Sequence, residues 1–376
     1  MNNTTPTHRI RVVIVINDFL IGGAQKLLVD MLRRFDKNHF TIILVTLFQF
    51  QGRDTFYNLL PPETVLYKLD FKGFADIKSW FAFAKVLRKE RPDVVMSNLF
   101  FSNTVSRILK PFFGYHCISV EHNTYKDKSR WAQLIDWILS YITDTIVAVS
   151  ATVKTFTVAQ EKIPASKFKV INNGIDIHAI QDEIMMYDRS SLKEELGLNQ
   201  NRHYIINIAR LTQQKNHALL LNGFALFSAK NPDYELVIVG DGGLRTSLEK
   251  QTEKLKIKSQ VHFFGSRTDV TRFYSISDFF VSTSFIEGFP LAHTEALACG
   301  LPVVSTKTAG SDAMIEEGKN GFFISGETSE AVAAALNRMV VAQPDSMRAY
   351  SRQVASHYDI DSMVREYEDL IIEASV

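Results

Sequence analysis

The sequence predicts an α/β protein made of two doubly wound domains facing across a cleft. Three observations carry that reading. At 376 residues the chain is longer than one hydrophobic core usually serves, so two domains are the default. Short apolar runs alternate with amphipathic segments throughout, the pattern of a parallel sheet covered by helices on both faces. The alternation pauses at the turn-rich Asn172-Asn173-Gly174-Ile175-Asp176 and then restarts, which marks that segment as the linker. The expected domains are residues 1–176 and 177–357.

In the first half, Val12–Ile16 reads as a buried strand, then Gly22-Gly23-Ala24 as a turn, then a helix with Leu27, Leu28, Met31 and Leu32 on one face. The two glycines let backbone approach a ligand or a facing domain. They do not make a G-x-G-x-x-G fingerprint, and a tight turn without a ligand fits them equally well. Strand-like runs follow at Thr41–Leu47 and Val65–Leu69, a helix near Asp76–Lys89, and a strand at Val94–Met96 after Pro92. Asn98–Phe113 reads as a core helix whose cations, Arg107 and Lys110, are solvated. The strand His116–Val120 runs into Glu121-His122-Asn123, which places His122 at the sheet edge where α/β proteins bind ligands. A helix over Ser129–Tyr141, a strand at Thr145–Val149, a helix after Ser150 and a strand at Phe168–Ile171 complete this half.

The second half opens with the strand Tyr204–Ala209, which ends at Arg210. Lys215 lies five residues on, before a helix over His217–Ala229. Glu235–Val239 leads into the turn Gly240-Asp241-Gly242-Gly243 and a helix over Leu244–Leu255, and Val261–Phe264 ends at Gly265. After a short helix near Val270–Tyr274, the run Phe279–Val281 reads as a parallel strand before Glu287-Gly288-Phe289-Pro290-Leu291. Pro290 suits the first helical position and Gly300 the stop, with Pro302 barring any continuation. Glu287 then lies in the loop before a short helix and Glu295 inside it. Helical side chains lean toward the N-terminus, so both carboxylates can face one helix mouth, which Gly288 to Leu291 lead into and where the helix's first turn leaves N–H groups open. Carboxylates beside an anion site suit a ligand with hydroxyls and a diphosphate. A plain connection with two solvated glutamates fits the spacing as well. Arg210 and Lys215, sharing one strand-to-helix loop, could neutralise a diphosphate. Phe322–Ile324 reads as a last strand, and helices near Ser329–Val341, Asp345–His357 and Asp361–Ala374 close the chain.

Composition narrows the classes. Hydrophobic residues make up 46% and charged residues 22%, an ordinary globular balance. The net charge of +1 gives no sign of nucleic acid. Residues 1–160 nevertheless hold 20 Lys+Arg against 13 Asp+Glu, and the remainder 22 against 28, so the two halves expect different partners. The two cysteines, Cys117 and Cys299, have no metal-site spacing and exclude a disulfide framework, which fits a reducing cytosol. Val12–Ile16 is too short for a signal-peptide core, and no run of about 18 apolar residues spans a membrane.

Glu287-x7-Glu295 resembles the signature of the large family of retaining glycosyltransferases numbered four, which have the GT-B architecture. Gly22-Gly23, Asn172–Asp176, Arg210 with Lys215, Gly240-Asp241-Gly242 and Gly300-Leu301-Pro302-Val303-Val304 match the family in order along nearly the whole chain. The resemblance implies a nucleotide-sugar donor, UDP-linked hexose or N-acetylhexosamine, and a hydroxyl acceptor on a lipid-linked or free saccharide. Arg210 and Lys215 would grip the diphosphate, Glu295 the ribose, and Glu287 the transferred sugar. Gly22 and Gly23 would approach the diphosphate, the stretch Phe264–Arg267, with Gly265 and Arg267, would line the base, and His122 would lie near the transferred sugar and acceptor. The last helix, about 358–376, would pack back on the first domain. Three departures bear on the sugar: Asn216 for a frequent glycine, Ala309 within a usual Gly-Gly pair, and Ala313 for a frequent glutamate. Apart from Asp359-Ile360-Asp361, where the last helix begins, no Asp-x-Asp motif appears, so no metal and no other cofactor is expected.

Two competing readings remain open, a nucleotide-sugar epimerase of similar shape and a non-catalytic partner that kept the fold. The basic first half suggests a cytoplasmic protein docked peripherally on the inner membrane. Lys78, Lys85, Arg88, Lys89, Arg107 and Lys110, near Trp80, Phe81, Phe83, Phe112 and Phe113, would face anionic lipid.

Overall fold

The computed structural model describes residues 9–52, 55–125 and 128–375. The chain divides into two compact units, Met1–Gly174 with Ile360–Val376, and Ile175–Asp359. The first unit runs β1 (Ile10–Ile16), α1 (Gly23–Arg34), β2 (Phe40–Thr46), β3 (Val65–Lys68), α2 (Ile77–Glu90), β4 (Val94–Asn98), α3 (Phe100–Phe113), β5 (His116–Glu121), α4 (Arg130–Ser140), β6 (Thr145–Ala148), α5 (Ala151–Glu161) and β7 (Phe168–Val170).

Its seven strands are parallel, in the order β3-β2-β1-β4-β5-β6-β7. Chain order reverses at β1, which pairs with both β2 and β4. Right-handed crossovers therefore place α1 on one face and α2 to α5 on the other. β1 is buried on both faces, with Val12 to Ile16 fully covered, as its unbroken apolar run requires. Local chemistry sets the helix ends. Asp76, Ser129 and Ser150 cap α2, α4 and α5, accepting from the N–H groups of Ser79, Ala132 and Val153, and so satisfy donors the first turn leaves open. Gly114, at φ +74°, ends α3 in the left-handed conformation a glycine adopts without strain.

The second unit runs α6 (Ile177–Met185), α7 (Arg189–Glu195), β8 (His203–Ile208), α8 (His217–Ser228), β9 (Tyr234–Val239), α9 (Arg245–Lys254), β10 (Val261–Phe263), α10 (Val270–Ser275), β11 (Phe279–Ser282), α11 (Leu291–Ala298), β12 (Val303–Thr306), α12 (Ser311–Met314), β13 (Gly321–Ile324), α13 (Ser329–Val341) and α14 (Arg348–Ala355). Six parallel strands lie in the order β10-β9-β8-β11-β12-β13. The order reverses between β8 and β11. The core gathers Phe224 and Phe227 of α8, Val332, Leu336 and Met339 of α13, and inward residues of β8, β9 and β11.

Helix α15 (Ile360–Ser375) returns to the first unit. Asp361 pairs with Arg34 at 2.7 Å, and Glu368 accepts from the Asp36 N–H at 2.7 Å.

Two expectations are corrected. Arg107 is not solvated: it is 1% exposed, donating to Asp136 at 2.7 Å and to the Ser119 hydroxyl at 2.9 Å. Lys110 is half-buried and pairs with Asp144 at 2.5 Å. Between the linker and β8 the structure adds two helices, α6 and α7, to the elements expected from sequence.

Candidate functional site

The carboxyl ends of the second unit's strands bring most of the predicted residues to one sheet edge. Arg210 lies two residues beyond β8, Gly240 directly after β9, Gly265 two residues beyond β10, and Glu287 in the loop leaving β11. β8 and β11 are the strands at which the order reverses, and that is where open α/β sheets hold ligands.

Three loops lock together there. The Gln214 amide donates to the Ile286 carbonyl at 2.8 Å, the Phe285 N–H to the Gln214 carbonyl at 2.9 Å, and the Thr283 hydroxyl to the Asn216 carbonyl at 2.9 Å. These bonds hold Lys215 against Glu287, and the two form a half-buried ion pair. Asn216 sits at φ +49°. That left-handed position explains why glycine is frequent there, and asparagine tolerates it better than most side chains. On the other side, Leu211 donates to the Asp241 carbonyl and accepts from the Leu244 N–H. A Cβ on Gly240 would stand 2.0 Å from the Ala209 carbonyl oxygen, and one on Gly242 would stand 2.5 Å from that of Leu211. The Gly240-Asp241-Gly242 turn is therefore glycine-rich so that two loops can touch.

Arg210 is exposed, and its guanidinium has no partner among the described residues. Such a guanidinium on the same loop as an anchored lysine suits phosphate oxygens. Gly288 to Pro290 lead into α11, which begins at Leu291, so Pro290 stands one position before the helix rather than at its first residue. The loop is shaped by Gly310, where a Cβ would come within 2.2 Å of the Pro290 ring and 3.0 Å of the Phe289 Cα. Glu295, one turn inside α11, accepts from the Tyr274 hydroxyl at 3.2 Å. Arg267 pairs with Asp269 and lies over the Phe273 ring at 5.5 Å.

His293 escaped the sequence reading. It is buried in α11, its Nε2 2.9 Å from the Ser305 hydroxyl and its Nδ1 without a hydrogen-bond partner among the described residues. Burial lowers its pKa to about 4, with Glu287 and Lys215 pulling in opposite directions. Only its place between the two glutamates could have flagged it.

In the first unit, Gly22 caps α1 and Gly23 opens it, after a five-residue loop from the end of β1. The Gly22 carbonyl accepts from the Lys26 N–H at 3.0 Å. His122 follows β5, and its Nε2 lies 2.9 Å from the Asn98 side-chain oxygen. The Asn98 amide donates to the Val15 carbonyl, so with that orientation Nε2–H is the donor and Nδ1 is left as an acceptor. Burial lowers the His122 pKa to about 4, and the ring is neutral near pH 7. Leu99, between the end of β4 and the start of α3, holds φ +74°. Such strain in a non-glycine residue collects at functional sites, and nothing in the sequence signals it.

Two family descriptions match the sequence: "Glycosyltransferase Family 4" over residues 21–179 and "Glycosyl transferases group 1" over residues 188–355. The chain belongs to the family-four glycosyltransferases and is an enzyme of that class. It is 26% identical over 318 residues, 80% of each chain, to the UDP-Gal:alpha-D-GlcNAc-diphosphoundecaprenol alpha-1,3-galactosyltransferase of Escherichia coli. It is 29% identical over 160 residues, 42% of this chain and 40% of the relative, to the alpha-monoglucosyldiacylglycerol synthase of Acholeplasma laidlawii. Among solved structures, Anabaena HepE in complex with UDP and glucose aligns at a TM-score of 0.84 over 97% of this chain and 100% of that one, with 20% identity. The shared fold is GT-B.

Proposed function

We propose that the protein is a retaining glycosyltransferase. It moves a hexose or N-acetylhexosamine from a UDP-linked donor to a hydroxyl of a lipid-linked glycan at the cytoplasmic face of a membrane. The observation that carries this reading is one strand-to-helix loop at the sheet's point of reversal that holds both Arg210, whose guanidinium has no partner among the described residues, and Lys215, paired with Glu287. UDP is favoured because HepE was solved with it and the E. coli relative is named for UDP-galactose. That relative's name also includes a diphosphoundecaprenol acceptor, which favours a lipid-linked glycan.

Arg210 and Lys215 take the diphosphate, and Lys215 exchanges part of its bond to Glu287 for phosphate oxygens. Glu287 is thereby released toward hydroxyls of the transferred sugar. Glu295 holds the ribose hydroxyls, Gly265 and Arg267 flank the base, and the N–H groups of the Gly288–Leu291 turn face the anion. Gly22 and Gly23 are assigned to the diphosphate, and neutral His122 to a hydroxyl of the sugar or acceptor. The acceptor oxygen attacks the anomeric carbon on the face from which the diphosphate leaves. The carbon–oxygen bond to the diphosphate breaks, the new glycosidic bond forms, and the acceptor proton passes to the departing phosphate oxygen. The two cations stabilise the charge developing there, the work a metal does in other glycosyltransferases.

A panel of nucleotide sugars tests the reading, scored by thermal shift and by slow release of free sugar. One UDP-sugar should stabilise the protein and be hydrolysed slowly. Conversion of the donor to its epimer, or no response to any donor, would refute the proposal.

A further inference from the structure

Helices α2 to α5 cover one face of the first unit's sheet, and every acidic side chain on them is turned inward. Glu90 is held by Arg11 and Tyr67, Asp136 by Arg107, and Glu161 by Lys128, all three buried. What these helices leave outside is apolar, neutral or cationic. Lys78, Lys85, Arg88 and Arg130 are exposed and have no partner among the described residues. Helix α4 is the most apolar outward surface. Trp131, Leu134, Ile135 and Ile138 follow one another at helical spacing on one stripe, with Trp131 76% and Ile138 52% exposed. Beside it, α3 exposes Phe112 at 77% and α2 exposes Phe81 at 72%, and consecutive helices pack as neighbours.

We propose that this face docks on an anionic phospholipid bilayer, with the Trp131–Ile138 stripe of α4 inserted at the headgroup boundary and Lys78, Lys85, Arg88 and Arg130 against the lipid phosphates. The inference rests on the lipid-linked acceptor argued above. Charge decides the occupant. A stripe of this kind flanked by lysine and arginine is what an interfacial helix presents, and tryptophan favours the headgroup level. A second copy meeting this face across a two-fold axis would set cation against cation with no exposed carboxylate on the four helices to relieve it. Arg107, Lys110 and Phe83, which the sequence assigned to such a surface, take no part: Arg107 and Phe83 are buried and Lys110 is engaged by Asp144.

Flotation of the full-length protein with vesicles decides the matter. It should float with phosphatidylcholine vesicles containing phosphatidylglycerol at low salt, weakly with phosphatidylcholine alone, and less as salt rises. Trp131→Ser/Ile135→Ser/Ile138→Ser in one protein, and Lys78→Gln/Lys85→Gln/Arg88→Gln/Arg130→Gln in another, should each lower the bound fraction about tenfold or more. Release of free sugar from a soluble donor should stay at the wild-type rate in both. No flotation at low salt, or flotation that neither variant weakens, overturns the inference. A dimer in light scattering that the apolar variant dissociates would show a second copy on this face and overturns it too. Flotation without any donor hydrolysis would instead defeat the transferase reading and leave the docking surface standing.

Discussion

Lys215 and Glu287 each sit where a ligand's opposite would be welcome, and each now occupies the other. Neither leaves a buried charge uncompensated, which is the expensive condition. Glu287→Gln keeps the size and one acceptor, so the fold should survive. It removes a charged hydrogen bond to the sugar worth roughly 1.5–3 kcal/mol, or about one to two decades in turnover. Steady-state rates at saturating donor check this, and near-normal turnover would remove Glu287 from the chemistry. A second consequence concerns acid. His217 is buried with its Nε2 2.9 Å from the Asn207 side-chain oxygen, and His293 is buried beside Ser305. Desolvation lowers both pKa values to about 4, below the unfolded value near 6.5. The unfolded chain therefore binds protons first. The stability of these neutral rings is complete above pH 6.5 and is lost as pH falls toward 4, by roughly 3 kcal/mol each. Thermal midpoints across that window should fall less steeply in His217→Gln, and an unchanged slope would mean His217 does not contribute. Glu287, Glu295, Arg210 and Lys215 became candidates through their types and spacing taken together with the family resemblance, since spacing alone fits solvated glutamates as well. The burial of His293 and the positive φ of Leu99 could not be read from the sequence, because burial and backbone strain are set by neighbours distant along the chain.

At the scale of elements, the β8–α8 loop is the device that presents cations. It is stitched to the loop after β11 on one side and to the Gly240-Asp241-Gly242 turn on the other, so its backbone is fixed in advance of any ligand, and Lys215 is held as well by Glu287. If these cations replace a metal, excess EDTA should leave activity largely intact, while Arg210→Ala should lose at least about tenfold, the cost of one charge-assisted bond. Activity lost to EDTA and restored by magnesium or manganese would overturn the assignment. The strand–helix alternation was legible because buried parallel strands are unbroken apolar runs and helices repeat every three to four residues. Helix α3 shows where such reading stops. Arg107 on an apolar helix looks like a solvated cation in sequence, yet Asp136, 29 residues away, draws it inside. Helices α6 and α7 were missed since they follow a turn-rich stretch and bury few side chains, Ile177 in one, Leu192 and Lys193 in the other.

At the scale of the whole molecule, the chain leaves the first unit at Gly174 and re-enters it at Ile360. The two crossings are joined where the Ile175 N–H donates to the Tyr358 carbonyl at 2.9 Å. Beyond that point α15 buries Ile360, Met363, Val364, Tyr367, Leu370 and Ile371 in the first unit. At about 1.5–3 kcal/mol for each large apolar side chain covered, these six contribute on the order of 10 kcal/mol, an upper figure because unfolded chains bury some surface themselves. A domain's whole stability is commonly about 5–15 kcal/mol. Removing residues 360–376 should therefore unfold the first unit, or leave it as a loosely packed state, while the second unit keeps its own core around Phe224, Phe227 and Leu336. Amide hydrogen exchange on the truncated protein separates the two: protection should collapse in β1, β4 and α1 and persist in β8, β9 and α13. Donor binding by the second unit should survive in part, because Arg210, Lys215, Glu287 and Glu295 all belong to it, whereas transfer to an acceptor should vanish with the fold of the first. Protection retained in β1 and β4 after truncation would show that α15 is an ornament on a unit that already stands alone.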